Sequence, residues 1–252
     1  MTMENRAEAF KIKLAGKVIL IEPLYSYIRE YCKGYETDES EDFSIRTEET
    51  DIIYEANKSK REDELAGITG RTYPSEYLET LAIYRKITEE MLKYDILLYH
   101  GSVVAVDGMG YLFTAKSGTG KSTHTGLWLK HFKDRAVMIN DDKPLLQVTD
   151  EGIIVHGTPW AGKHNLNTNT SVPLKAICVL GRDANNHIER VNPRDIYGML
   201  MQQVYRPTNP VSLLATMKLV DKLMEKTAFY SLGCNMDPEA AIVAYTGMNS
   251  EK

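Results

Sequence analysis

The stretch FTAKSGTGKSTH at residues 113–124 sets closely spaced glycines beside a lysine and several hydroxyl side chains. Glycine frees the backbone from Cβ clashes, so consecutive N–H groups can turn into one cavity and cradle phosphate oxygens. A helix that starts where the loop ends adds the partial positive charge of its N-terminus. In the pattern G-x-x-x-x-G-K-[ST], Gly120, Lys121 and Ser122 hold their places, and Ala115 stands where the leading glycine belongs. The expected nucleotide-binding set is Ser117, Gly118, Thr119, Gly120, Lys121, Ser122 and Thr123. Lys121 would reach the β and γ phosphates, and the Ser122 hydroxyl would complete a Mg²⁺ shell. Ala115 costs little with a negative φ and about 1 kcal/mol with a positive one. We expect a negative φ and an extended backbone there, as the end of the incoming strand.

A phosphate-bound Mg²⁺ needs a carboxylate at the end of a neighbouring strand. AVMIN at 136–140 reads as a short buried strand and ends on Asp141-Asp142, twenty residues after Lys121. Two adjacent acids allow two roles, metal ligand and proton acceptor for an attacking hydroxyl, with the assignment between Asp141 and Asp142 open. Taken alone, they are also an ordinary pair of turn aspartates.

These groups need elements to hold them. ILLYHGSVVAVDGMGYLFTA contains two β-rich runs around Asp107-Gly108-Met109-Gly110, a hairpin whose second arm feeds the glycine loop, and STHTGLWLKHFK reads as the helix after it. A hairpin running straight into the loop predicts a mixed sheet rather than an all-parallel one. PLLQVTDEGIIVHG is a further hairpin, LKAICVLGR, HIERV and AFYSL are strands, and PRDIYGMLMQQVY, NPVSLLATMKLVDKLMEKT and DPEAAIVAYTGM are helices. Upstream, FKIKLAGKVILIE is a hairpin around Ala15-Gly16, PLYSYIREYCKGY a short helix, and DFSIRT and DIIYEA strands, with Lys58 to Arg71 a charged linker. Residues 73–95 form an amphipathic helix with Ile83, Ile87, Met91 and Tyr94 on one stripe. The expected organisation is a small N-terminal α+β region, 1–72, and a kinase-like domain, 73–252, bridged by that helix.

Composition bounds the function classes. A chain of 252 residues, 43% hydrophobic and 26% charged, buries one sizeable core with room for a small annex. A net charge of −5 argues against a dedicated nucleic-acid binder. No apolar run reaches the roughly 18 residues that span a bilayer, and the N-terminus carries no apolar secretory block. Cys32, Cys178 and Cys234 are widely spaced and odd in number, so free thiols and a cytoplasmic setting are the expectation.

His100-Gly101-Ser102, the hairpin, Ser117 to Ser122 and Asp141-Asp142 together resemble the catalytic domain of HPr kinase/phosphorylase and the nucleotide-binding core of ATP-dependent phosphoenolpyruvate carboxykinase. The motif match covers about residues 98–143. The resemblance implies an α/β (α+β) fold with a mixed sheet, ATP and Mg²⁺ as cofactors, His100 near the transferred phosphoryl group, Asp141 or Asp142 as base, and Ser122 with the aspartates at the metal. Read on its own, His100 could also be a hydrogen-bonded core histidine at a strand end. The family's leading glycine and its signature for the protein substrate HPr are absent, and the chain lacks length for the lobe with which the carboxykinase binds oxaloacetate. HPr kinase forms oligomers; nothing in these residues specifies an interface.

GTPWAGKHN at 157–165 either binds something or is a rigid connector in which Trp160 covers the sheet. Lys163 is the candidate for a γ-phosphate or acceptor contact, ahead of His164 and Asn165. Arg206 reads as a transition-state cation or an exposed helix-end residue. Trp128 is expected in the core and His124 on the surface, with stacking on an adenine the alternative for His124. The leading expectation is an ATP- and Mg²⁺-dependent phosphotransferase acting on a hydroxyl, in a small molecule or a peptide or protein serine. A nucleotide-binding sensor or maturation factor without catalysis, and carboxykinase-type chemistry on an oxo acid, are the alternatives.

Overall fold

Ala15 and Gly16 both take positive φ, 49° and 75°, the pair of left-handed residues that closes a two-residue hairpin without splaying its strands. They join β1 (Phe10–Leu14) to β2 (Lys17–Glu22), which pair antiparallel from Phe10 opposite Ile21. The computed structural model describes residues 6–116 and 118–250 and divides the chain into two compact units, Met1–Glu90 and Met91–Lys252.

In the first unit a short helix α1 (Tyr27–Tyr31) leads to β3 (Phe43–Arg46), which adds to β2 in parallel and completes a three-stranded sheet. The strand expected at DIIYEA is instead part of a helix, α2 (Glu49–Leu65), which also takes in the first half of the expected linker. The adjacent isoleucines gave a β-like texture, yet Ile53 is exposed while Ile52, Glu55, Ser59 and Asp63 are buried at helical spacing. The Asp51 carboxylate accepts from the Glu48 N–H at 2.9 Å and so caps the helix start. A third helix, α3 (Ser75–Met91), carries the fully buried Glu79, whose carboxylate accepts from the N–H groups of Leu24 and Tyr25 and from the Thr47 hydroxyl. That carboxylate therefore ties helix to sheet.

The second unit is built on a mixed nine-stranded sheet. Its strands are β4 (Ile96–Leu98), β5 (Ser102–Val106), β6 (Met109–Thr114), β7 (Ala136–Asn140), β8 (Leu145–Val148), β9 (Ile153–His156), β10 (Ser171–Arg182), β11 (His187–Arg190) and β12 (Ala228–Cys234). The order is β4-β8-β9-β10-β6-β5-β7, with β12 also beside β10 and β11 beside β12. The expected hairpin before the glycine loop is present, its turn reduced to Asp107 (φ 51°) and Gly108 (φ 79°).

All five residues of β5 are buried, because both faces of the sheet are covered. Val103 and Ala105 belong to a core with α5 (Tyr197–Gln203) and α6 (Pro210–Lys226), through Leu200, Leu219, Val220 and Leu223. Val104 and Val106 point the other way, into a core with α4 (Lys121–Phe132) and α7 (Glu239–Asn249), through Trp128, Phe132, Ala241, Ala244 and Met248. Alternation along a strand buried on both faces yields a continuous apolar run. The three cysteines are free thiols. Among the described residues no helix is long and apolar enough to cross a membrane.

Candidate functional site

The sheet topology brings three segments to one end. β5 lies between β6 and β7 and runs antiparallel to both, so the start of β5 sits beside the ends of β6 and β7. Ser102 stands opposite Phe113, and Val103 opposite Asn140. His100-Gly101-Ser102, the glycine loop and Asp141-Asp142 thus meet although they are spread over some forty residues. The carboxyl ends of strands are where open α/β sheets form ligand crevices. Gly101 is required by packing: a Cβ there would fall 2.9 Å from Leu112 Cδ2 and 3.0 Å from the Phe113 carbonyl oxygen.

The loop runs from the end of β6 into α4. Gly118 and Gly120 have φ of 77° and 121°, values an L side chain adopts only with strain, and both Cβ positions look into open space. The positive-φ residues other than glycine among those described are Ala15, Asp95, Asp107, Lys133 and Asn165, and Ala115 is not one of them. Ser117 lies outside the described residues. Ser122 and Thr123 are exposed on the first turn of α4.

Lys121 is half-buried, and its Nζ donates to the Ala115 carbonyl at 3.3 Å. Burial pushes its ammonium below the ordinary lysine value, and the nearby charges of Asp142 and Asp141 only partly restore it. Asp141 is buried and accepts from the Ser102 hydroxyl at 2.5 Å. Ser102 Oγ lies 3.0 Å from Thr125 Oγ1, one turn into α4. The Ser102 proton goes to the carboxylate, and Thr125 Oγ1 also lies 3.2 Å and 3.3 Å from the Lys121 and Ser122 carbonyls of its own helix.

Asp142 is less enclosed. Its Oδ1 lies 3.2 Å from His100 Nε2, and its Oδ2 lies 3.5 Å from Lys143 Nζ. Burial raises its carboxyl, but the His100 hydrogen bond and the Lys143 charge outweigh that and hold it below the usual carboxylate range. Asn140 fixes the turn between them: its Oδ1 accepts from the N–H groups of Asp142 (2.9 Å) and Lys143 (2.7 Å), and its Nδ2 donates to the Thr158 carbonyl (3.0 Å). That last bond anchors the GTPWAGKHN segment. A Cβ on Gly162 would stand 3.1 Å from Asp142 Cβ, so this loop passes directly against the acidic pair. Lys163 and His164 follow on a single exposed turn, Asn165 closes it at φ 49°, and Trp160 is buried.

Neither a family model nor a curated protein matches the sequence. A solved structure of Hpr(Ser) kinase/phosphatase from Coxiella burnetii is similar at 15% identity and a TM-score of 0.29, over 51% of this chain and 97% of that one.

His100, Lys121, Asp141 and Asp142 therefore come together, with Lys163 one residue beyond the glycine that touches Asp142. Arg206 is exposed, just past the segment in which Gln203 and Tyr205 bond to His100 and Leu98. His124 corrects the expectation of a surface residue: it is 3% exposed. Its ring sits one turn before Trp128, whose indole N–H donates to its Nε2 at 3.0 Å, so the tryptophan draws the histidine into the core. Arg182, at the end of β10, is a residue the sequence did not mark. Its guanidinium donates to the Gly118 carbonyl at 2.5 Å and to that of Thr119 at 3.3 Å, bracing the glycine loop from the next strand. Ser102 stood in the quoted motif without a role of its own, and Asn140 was unmarked. The β6–β10 parallel pairing that places Arg182 joins residues more than sixty apart, beyond the reach of local patterns.

Proposed function

We propose that this chain binds a nucleoside triphosphate with Mg²⁺ on the loop Ala115–Ser122 and transfers the terminal phosphoryl group to a hydroxyl acceptor. The observation that carries the reading is the convergence of Lys121 with two inequivalent carboxylates, one buried and held by Ser102, the other open enough to pair with His100.

The residues fit the group they would hold. Gly118 and Gly120 hold positive-φ backbone that glycine takes freely, with open space above it, and α4 opens with its first-turn N–H groups. Mg²⁺ is ordinarily held by one or two carboxylates together with phosphate oxygens and water, and would neutralise charge on the phosphates. Asp141 and Ser122 are the groups to hold it. Lys121 places a fixed positive charge beside the phosphates, and the loop leaves the terminal phosphate facing the ends of β5 and β7.

Asp142 takes the remaining role. Its lowered pKa keeps it ionised at neutral pH, so it accepts a hydrogen bond from the acceptor hydroxyl and then its proton. A carboxylate this weakly basic is sufficient where transfer depends on positioning and charge stabilisation more than on early proton removal. His100, bonded to the same carboxylate, fixes its orientation. Lys163 stands nearby to meet either the terminal phosphate or the acceptor.

The test is incubation with γ-labelled ATP and Mg²⁺ against pools of metabolites and serine peptides, following the label. Transfer to a hydroxyl that disappears in Lys121→Ala supports the proposal. Undiminished ATP consumption in that variant overturns it.

A further inference from the structure

Beside the glycine loop, on the side away from Asp141 and Asp142, lies a cleft of about 530 Å³. Its walls come from the loop and α4 and from the ends of β10 and β12, with Leu127, Leu180 and Met236 as its apolar surfaces. β10 and β12 flank β6 on one side, whereas β5 and β7, which carry the acidic end of the site, flank it on the other. A ligand whose phosphates lie over the loop can therefore extend away from the acidic residues into this cleft.

His124 lines the cleft, and its hydrogen bonding determines what it offers. An indole N–H can only donate, so the bond from Trp128 Nε1 requires a lone pair on His124 Nε2. The neutral ring then carries its proton on Nδ1, and this buried nitrogen has no partner among the described residues. A buried donor without an acceptor is costly, and a ligand that supplies one recovers that cost. A neutral donor among apolar walls suits a ring nitrogen or carbonyl of a flat heterocycle; the phosphates belong on Lys121 and the loop.

We propose that this cleft takes the base of the nucleotide and that His124, donating through Nδ1–H, reads an acceptor atom on that base. The inference rests on the phosphate-binding reading of the loop and adds to it the position and recognition of the base. The nucleotide then spans β6, base towards β10 and β12, terminal phosphate towards β5 and β7.

Titration of the whole chain with the four nucleoside triphosphates and with inorganic tripolyphosphate, each with Mg²⁺, tests both readings separately. We expect at least one nucleotide to bind about tenfold or more tightly than tripolyphosphate. His124→Phe should erase about tenfold of that advantage and leave tripolyphosphate unchanged. Met236→Ala, at a side chain 77% exposed, should weaken the nucleotide about threefold and so serves if the histidine variant fails to fold. Equal binding of nucleotide and tripolyphosphate overturns the base pocket while the loop reading stands, as does nucleotide affinity unmoved by the variants. Binding of neither compound overturns the loop reading and this one with it.

Discussion

Ser102 donates a 2.5 Å hydrogen bond to Asp141 across thirty-nine residues of sequence. Both groups are buried, and Thr125 of α4 meets the same hydroxyl. The first residue of one strand, the residue after another and the helix behind the glycine loop are thereby locked to each other. Ser102→Ala removes the donor from a buried carboxylate, so a loss of about 1–3 kcal/mol is expected in urea denaturation. Turnover should fall further than the nucleotide KM rises, because the change moves a carboxylate and leaves the cradle intact.

Lys121 gives a pH dependence. Its ammonium titrates below the ordinary lysine value because burial disfavours the charge, while Asp142 and Asp141 favour it. On the proposed reading, phosphate affinity is present while the group is protonated and is lost as pH rises through its folded value. Binding of tripolyphosphate should therefore decline on the alkaline side at a lower pH than an exposed lysine would dictate. Lys121→Arg, with a guanidinium that stays charged, should abolish that alkaline limb even where its affinity is poorer.

Stability has a separate acid limb. Burial holds both His124 and His156 at about 4, against 6.5 for the free side chain. Both fold as neutral rings, so the unfolded chain takes up protons first. Stability is full above about 6.5 and is lost as pH falls towards 4, by roughly 3 kcal/mol for each histidine. Melting temperatures measured between pH 7 and pH 4 check this, and His156→Gln should flatten part of the slope.

Arg182 braces the loop from an exposed position, donating to the carbonyls of Gly118 and Thr119. Arg182→Ala should shift stability by no more than about 0.5 kcal/mol, as surface substitutions usually do. Nucleotide affinity should nevertheless fall several-fold, read in the same titration, because the cradle must then be ordered by the ligand.

Gly157 opens the segment that passes Asp142. A Cβ there would lie 2.0 Å from the Thr168 carbonyl oxygen and 2.7 Å from that of Ile139. Both are backbone atoms with no freedom to yield, so Gly157→Ala should cost about 3 kcal/mol. Circular dichroism and denaturation would report it.

What was legible in the sequence follows from the range over which each interaction acts. The turns at Ala15-Gly16 and Asp107-Gly108, the helix after the glycine loop and the strand ending on Asp141-Asp142 are set by neighbours in the chain, and their positions were readable from residue type and spacing. Ile52-Ile53 misled because two adjacent isoleucines suit a strand, whereas the burial of Glu55, Ser59 and Asp63 is fixed by distant partners such as Arg85, 2.7 Å from Glu55. His124 looked like a surface residue because its polarity argues for exposure, and the indole one helical turn on, which draws it inward, was not read as its partner. Arg182, and the role of Ser102, escaped because each acts through a strand pairing that no local pattern records.

β10 pairs with β9 through its first residues and with β6 and β12 through its later ones, making it the strand on which the sheet closes. During synthesis β6 leaves the ribosome well before β10 exists. Until about residue 180 is made, β6 is an unpaired sheet edge on one side, and the glycine loop stands without Arg182. Long-range parallel pairing of this kind forms late and slowly. A nascent chain stopped before residue 171 would therefore hold every residue of the phosphate motif and still present an open edge, a state for chaperones to cover and for neighbouring chains to join.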